Sequence, residues 1–216
     1  MSGPILVVNP NANPAVTAGM DAALACYRLP GGPSIECLTL ADGPFGIESP
    51  ADAQRAIPPL MALVQARPDA GAIVIACYSD PGLDVCRSLT AAPVFGIQEA
   101  GVLTAMARAD RFGVIAVADG SIPRHRLHLR RMGVLGRLAG ERAVNLSVDQ
   151  TARPEAEAPL TAVGAALCAD GAEAIVLGCA GMSRHQAALS RSLGVPVIDP
   201  VRAAVAMALG ALLAPD

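Results

Sequence analysis

Ala72-Ile73-Val74-Ile75-Ala76-Cys77 and Ala174-Ile175-Val176-Leu177-Gly178-Cys179 are one phrase written twice, 102 residues apart. Each is a short apolar run rich in β-branched residues, the pattern of a strand buried on both faces, and each closes on a cysteine. The match continues outward. Pro93-Val94 begins 16 residues after Cys77 and Pro196-Val197 begins 17 after Cys179, while upstream Ile5 to Val8 answers Val114 to Val117 at an offset of 109. Filling in the remaining apolar runs predicts eight strands: Ile5–Val8, Ile35–Leu40, Ala72–Ala76 and Val94–Ile97, then Gly113–Val117, Ala143–Val148, Ala174–Gly178 and Val195–Ile198. Ala/Leu-rich amphipathic stretches separate them, and strands alternating with helices build parallel sheets. The repeat therefore predicts an α/β protein of two similar lobes. Each has a four-stranded parallel sheet flanked by helices, with a pseudo-twofold relation and a functional cleft between them. Residues 1–98 form the first lobe and 99–200 the second, with the crossover in the helical stretch Glu99 to Asp110. The last helix, 201–216, is expected to fold back onto the first lobe.

Composition removes several function classes. The chain has 216 residues, 53% apolar and 16% charged, enough for a large core. It carries three Phe, two Tyr, no Trp and a net charge of -3, which supplies neither stacking platforms nor a basic field, so nucleic acid is not an expected partner. All 16 basic residues are arginine. Without lysine there is no Schiff base to pyridoxal phosphate and no Gly-Lys-Ser/Thr phosphate loop. Met1 to Asn9 lacks the basic and long apolar regions of a leader, and Ala203 to Ala214 spans 12 residues against the ~20 of a membrane helix, so a cytoplasmic protein with no membrane partner is expected. Six cysteines with no Cys-x-x-Cys pair, beside three histidines, read as thiols and exclude a metal site on ligand spacing. A small molecule is the expected partner and a homo-oligomer the expected assembly.

Cys77 and Cys179 are the candidate chemistry. Side chains at the carboxyl ends of parallel strands line the crevice of an α/β sheet. Each cysteine also precedes a predicted helix start, with Asp80-Pro81 as cap and first residue in the first unit, and Ser183 with Gln186 as a capping box in the second. A thiol beside a helix N-terminus has its thiolate favoured, which predicts a pKa below the usual ~8.5. Cys26, Cys37, Cys86 and Cys168 fall inside helix or strand patterns and read as small buried apolar residues. After the first strand, Asn13 reads as the cap of a helix beginning at Pro14, and Asn11 as either a turn residue or a substrate ligand. Gly43 to Glu48 is a plain loop or a flap over the cleft. His185 reads as solvated or capping, and Arg124, Arg126, Arg130 and Arg131 with His125 and His128 as a solvated basic helix face.

Five strings in order, Ile5 to Asn11, Gly43 to Glu48, Ala76 to Leu83, Pro93 to Ala100 and Leu177 to Met182, resemble the aspartate/glutamate/hydantoin racemase superfamily, most closely its hydantoin and allantoin racemase branch. The resemblance implies cofactor-independent inversion at a carbon acidified by a carbonyl, with Cys77 and Cys179 as acid and base on opposite faces. It further implies that Asn11, Tyr78, Ser79, Val117, Ser121, Ala180 and Gly181 surround the substrate, with backbone amides near Ser79 and Gly181 on the enolate oxygen. The pair would share a proton and titrate as a unit. A departure is Val114-Ile115-Ala116-Val117-Ala118, where the family usually has a threonine pair; Ser121 is the nearby hydroxyl. These motifs contain no arginine, which favours a neutral cyclic ureide over free aspartate or glutamate. A maleate-type isomerase keeps both cysteines and remains an alternative, as does a two-lobed binding protein without chemistry. The decarboxylase branch keeps only the second cysteine, so Cys77 argues against it.

Overall fold

The computed structural model describes residues 3–214; the outermost ends of the expected lobe and helix boundaries, 1–2 and 215–216, lie outside the described residues. The chain runs β1 (Ile5–Asn9), α1 (Pro14–Ala23), β2 (Ile35–Thr39), α2 (Pro50–Ala66), β3 (Ala72–Ile75), α3 (Leu83–Leu89), β4 (Val94–Gly96) and α4 (Ile97–Met106). It repeats as β5 (Phe112–Ala116), α5 (Ile122–Arg131), β6 (Leu138–Ala143), α6 (Val148–Thr151), α7 (Glu157–Ala169), β7 (Ala174–Gly178), α8 (Gln186–Leu193) and β8 (Val197–Ile198), and ends in α9 (Pro200–Leu213). Two four-stranded parallel sheets result, in the orders β2-β1-β3-β4 and β6-β5-β7-β8. The orders are identical, as the repeated phrase implies.

In each sheet the chain reverses its direction of travel between the two central strands, β1 and β3 or β5 and β7. The crevice of an open α/β sheet lies at that switch. Alternation along β1 assigns its two faces: Leu6 and Val8 pack with Leu60, Val64, Ile73 and Ile75 in an outer core, whereas Ile5 and Val7 join a second core. That second core is continuous from Val74 of the first sheet to Val114 and Val176 of the second. Helix α9 packs on α4 and across β1 and β3.

One predicted strand is displaced. The apolar content of Ala143–Val148 predicts a strand there, but β6 occupies Leu138–Ala143 and the apolar tail turns into α6. The strand is an edge, paired to β5 alone, so exposed Arg142 is tolerated where a central strand would exclude it, while buried Glu141 is paired with His125. Two caps differ as well. Helix α3 begins at Leu83 after Gly82 in the left-handed region (φ 69), rather than at Pro81. Ser183 caps nothing: residues 180–185 form a 3-10 turn in which its hydroxyl donates to the Ala180 carbonyl, while Gln186 donates to the Val197 carbonyl. Asn13 does cap α1, accepting from Ala15 N with Pro14 at the first position.

Candidate active site

The strand ends deliver their next residues to one cavity. Asn11 follows β1, Cys77 and Tyr78 follow β3, Val117 and Ser121 follow β5, and Cys179 and Ala180 follow β7; all seven line it. Ile47, Val148, Arg124 and His125 complete the wall. The cavity is small, about 30 Å³. It has room for water alone. Its cover is the Gly43–Glu48 loop, whose Ile47 is buried against it and whose Glu48 carboxylate accepts from Val148 N at 3.1 Å, tying the first lobe to the second.

The thiols sit in different company. Cys77 packs beside Ile47, Ala53 and Ala56, with its sulfur 3.4 Å from the Ser79 hydroxyl. Cys179 receives the Gly181 N–H at 3.4 Å, and Thr151 Oγ1 lies 3.8 Å from its sulfur. That hydroxyl also donates to the Val148 carbonyl at 2.7 Å, so its single proton serves one acceptor at a time. His185 is buried and pairs through Nε2 with the Thr151 carbonyl at 3.1 Å, which makes it a brace for this threonine rather than a solvated or capping residue.

The expected acidification of the thiols is overturned. Burial pushes Cys77 up to about 12, against smaller lowering contributions from the Ser79 hydroxyl and the Arg124 charge. Burial likewise raises Cys179, against the Gly181 amide and the Thr151 hydroxyl. The first helix after Cys77 starts too far along the chain, at Leu83, for its N–H groups to reach the sulfur.

The predicted oxygen-binding amides are also displaced by one residue. Ser79 N donates to the Cys77 carbonyl and Gly181 N to the Cys179 sulfur, so both are spent within the chain. The N–H groups of Tyr78 and Ala180, each immediately after a cysteine, have no acceptor among the described residues. Asn11 is a turn residue whose Oδ1 accepts from Asn9 Nδ2 and Asn13 N. Asn11 lines the cavity, and its Nδ2 has no acceptor among the described residues. Ser121 accepts from Arg124 Nη2 at 3.2 Å, and Val117 presents methyl groups where the threonine is missing.

Three residues of the expected solvated face are buried or half-buried. On α5, Arg126, Arg130 and Arg131 are exposed, but His125 is 2% exposed and its Nδ1 lies 2.6 Å from Glu141 Oε1. The His125 ring stands edge-on to Tyr78, centroids 5.0 Å apart. Arg124 turns into the cavity wall, which overturns the expectation of a cleft without arginine. Half-buried His128 lies 3.6 Å from the Asp80 carboxylate. The helical period on α5 carried the signal: Ile122, His125 and Leu129 follow a 3-4 spacing that marks one inward face. Nothing in the local sequence marked Thr151 or Glu141, which reach their partners from 28 and 16 residues away. Among the four other cysteines, Cys86 is buried, Cys37 and Cys168 are half-buried, and Cys26 is exposed on a 3-10 turn instead of in the core. Among the described residues no group of three or more His, Cys, Asp or Glu is placed to hold a metal, and no helix is long and apolar enough to cross a membrane.

The fold is shared with known proteins. The Asp/Glu/Hydantoin racemase family profile matches residues 5–208. The hydantoin racemase of Paenarthrobacter aurescens is 40% identical over 94% of this chain and 89% of its own. That of Rhizobium meliloti is 36% identical over 94% of this chain and 86% of its own. The structure of allantoin racemase from Klebsiella pneumoniae superposes with a TM-score of 0.90 at 33% identity, covering 97% of this chain and 87% of that one. With its family profile running through both sheets and both cysteine-bearing strand ends, this chain belongs to the Asp/Glu/hydantoin racemase family and is a racemase.

Proposed function

We propose that this racemase inverts the C5 stereocentre of a 5-substituted hydantoin or a related cyclic ureide, with Cys77 and Cys179 as the acid and base on opposite faces of the ring. The observation that carries the reading is that two cysteines from equivalent ends of twin strands share one cavity. The substrate class is supported by the hydantoin and allantoin racemases among the relatives.

One sulfur, as thiolate, takes the C5 proton; the electron pair left behind moves onto the adjacent ring carbonyl as an enolate; the opposite thiol then returns a proton to the other face. The enzyme ends with the protonation states of the two sulfurs exchanged, ready for the opposite enantiomer. The free N–H groups of Tyr78 and Ala180 and the Asn11 amide supply neutral donors suited to a developing carbonyl oxyanion. Because burial favours both thiols in their neutral form, the active state is reached by removing one proton from the pair, and the rate is expected to climb with pH.

Solvent deuterium should enter C5 of 5-alkyl hydantoins from either enantiomer. Replacing Cys77 or Cys179 with serine should each reduce exchange by about a thousandfold or more with the fold intact, since an alcohol is far too weak an acid to take the role. A variant that kept more than about a tenth of the wild-type rate would remove that cysteine from the mechanism.

A further inference from the structure

Arg124 is a half-buried cation with two buried nitrogens and no counter-ion among the described residues. Its Nη2 donates to Ser121 Oγ at 3.2 Å, but Nε and Nη1 are buried and have no hydrogen-bond partner. Among the described residues no carboxylate is within ion-pair distance of it. Taking a guanidinium out of water without pairing it is costly, and such a group persists where something else supplies the charge. The Cys77 sulfur does not supply it in the resting enzyme, since the thiol is held neutral.

The position of the side chain tells where the missing anion lies. Arg124 is common to the wall of the thiol cavity and that of a second pocket of about 350 Å³ opening to solvent. Gln54, Ile57, Leu127, His128 and Arg131 line this outer pocket, which also holds Asp80 and Asp84. Asp80 is already occupied, accepting from Gln98 N and Glu99 N at 2.9 Å each. Asp84 lies in the first turn of α3. A stereocentre held between the two sulfurs puts its ring against the donors of Asn11, Tyr78 and Ala180, and the ring substituent then has the outer pocket for room, with the guanidinium at its entrance.

We propose that Arg124 is the specificity-determining residue of this racemase, receiving a carboxylate carried on the substituent of the reacting carbon as that substituent passes into the outer pocket. This rests on the hydantoin reading above and narrows it: the substrates it favours are hydantoins with an acidic side chain. Recognition by charge-assisted hydrogen bonding from the planar guanidinium makes the preference strong and makes lysine an incomplete substitute.

The test compares hydantoin-5-acetic acid with the near-isosteric hydantoin-5-acetamide, using wild type, Arg124→Gln and Arg124→Lys. Wild type should favour the acid in kcat/KM by roughly tenfold to a hundredfold, mostly through KM, with Arg124→Gln bringing the ratio close to one and Arg124→Lys falling between. Equal losses on both substrates would overturn the proposal and place Arg124 with the thiolate or the enolate instead. So would a wild-type ratio near one. A second readout separates this from failure of the hydantoin reading itself: protection of Cys77 from iodoacetamide by each compound, followed by peptide mass spectrometry. Turnover of 5-alkyl hydantoins but of neither compound would overturn the proposal; should wild type turn over none of them, the hydantoin reading falls. Protection by the acid at lower concentration than by the amide, abolished in Arg124→Gln, would then still sustain the anion site, and equal protection would end it.

Discussion

A cysteine at the end of a parallel strand is pulled in two directions. Unpaired helix N–H groups stabilise the thiolate by ~0.3–1 kcal/mol, up to ~2 in partly buried geometry. Desolvation opposes it, and a rise from 9.0 to about 12 at Cys77 corresponds to about 4 kcal/mol. Burial wins because the nearby helix starts too late and the apolar Ile47, Ala53 and Ala56 crowd the sulfur. Alkylation requires thiolate, so a raised pKa means the thiolate fraction at neutral pH is small and grows about tenfold per pH unit. Iodoacetamide labelling of Cys77, read at the peptide level so that exposed Cys26 does not obscure it, should therefore rise steadily through pH 9. A plateau below pH 8 would show an acidified thiol. Glu48 acts in the same sense on Cys179, where its negative charge raises the pKa. Glu48→Gln, whose amide oxygen still accepts from Val148 N, should lower that pKa and speed labelling of Cys179 by about two- to tenfold at a fixed pH. Unchanged labelling would mean that the charge does not matter.

At the scale of an element, the turn after β3 is held by the start of α4. Asp80 sits in the left-handed region (φ 45) and its carboxylate bridges the N–H groups of Gln98 and Glu99, capping a helix from another part of the chain. A Cβ at Gly96 would lie 2.2–2.6 Å from that carboxylate, closer than any side chain tolerates. Gly96→Ala therefore displaces Asp80 and the turn leading from Cys77. Overpacking of this kind costs about 1–3 kcal/mol, so a lower urea midpoint is expected, together with a fall in kcat larger than the stability change explains. A variant with wild-type stability and rate would show that the cap does not position the cysteine.

At the scale of the whole molecule, the spacing of the sheets sets the distance between the sulfurs. The core shared by both lobes fills the space between them, and α4 and α9 cross it in close contact. Gly101 makes that approach possible: a Cβ there would meet Pro200 Cβ at 2.9 Å and Val176 Cγ1 at 3.1 Å. Gly101→Val would wedge α4 away from both α9 and β7. Destabilisation of about 2–4 kcal/mol is expected in urea unfolding, and racemisation per folded molecule should fall because the two-sided geometry is lost. Full activity in the folded fraction would mean that the sulfur spacing is set elsewhere.

The twin sheets and the pair of cysteines were legible in the sequence because they rest on local patterns: an apolar run of strand length, repeated, each time ending in the same residue where a strand end must face the crevice. Asn13 was legible for the same reason, since a cap depends on its immediate neighbours. The edge strand was not, because solvent on one side lets Arg142 sit where the pattern leads one to expect an apolar residue, and buried Glu141 is accommodated by its pairing with His125. Residues whose roles depend on distant partners were hidden as well. Glu141 finds His125 and Thr151 finds Cys179 only once the second lobe has folded, Glu48 finds Val148 only when the two lobes are assembled, and Arg124 joins a cavity wall drawn from both lobes. The acidity of the thiols belongs to this second group, for desolvation is set by everything packed around the sulfur, and no stretch of sequence contains that sum.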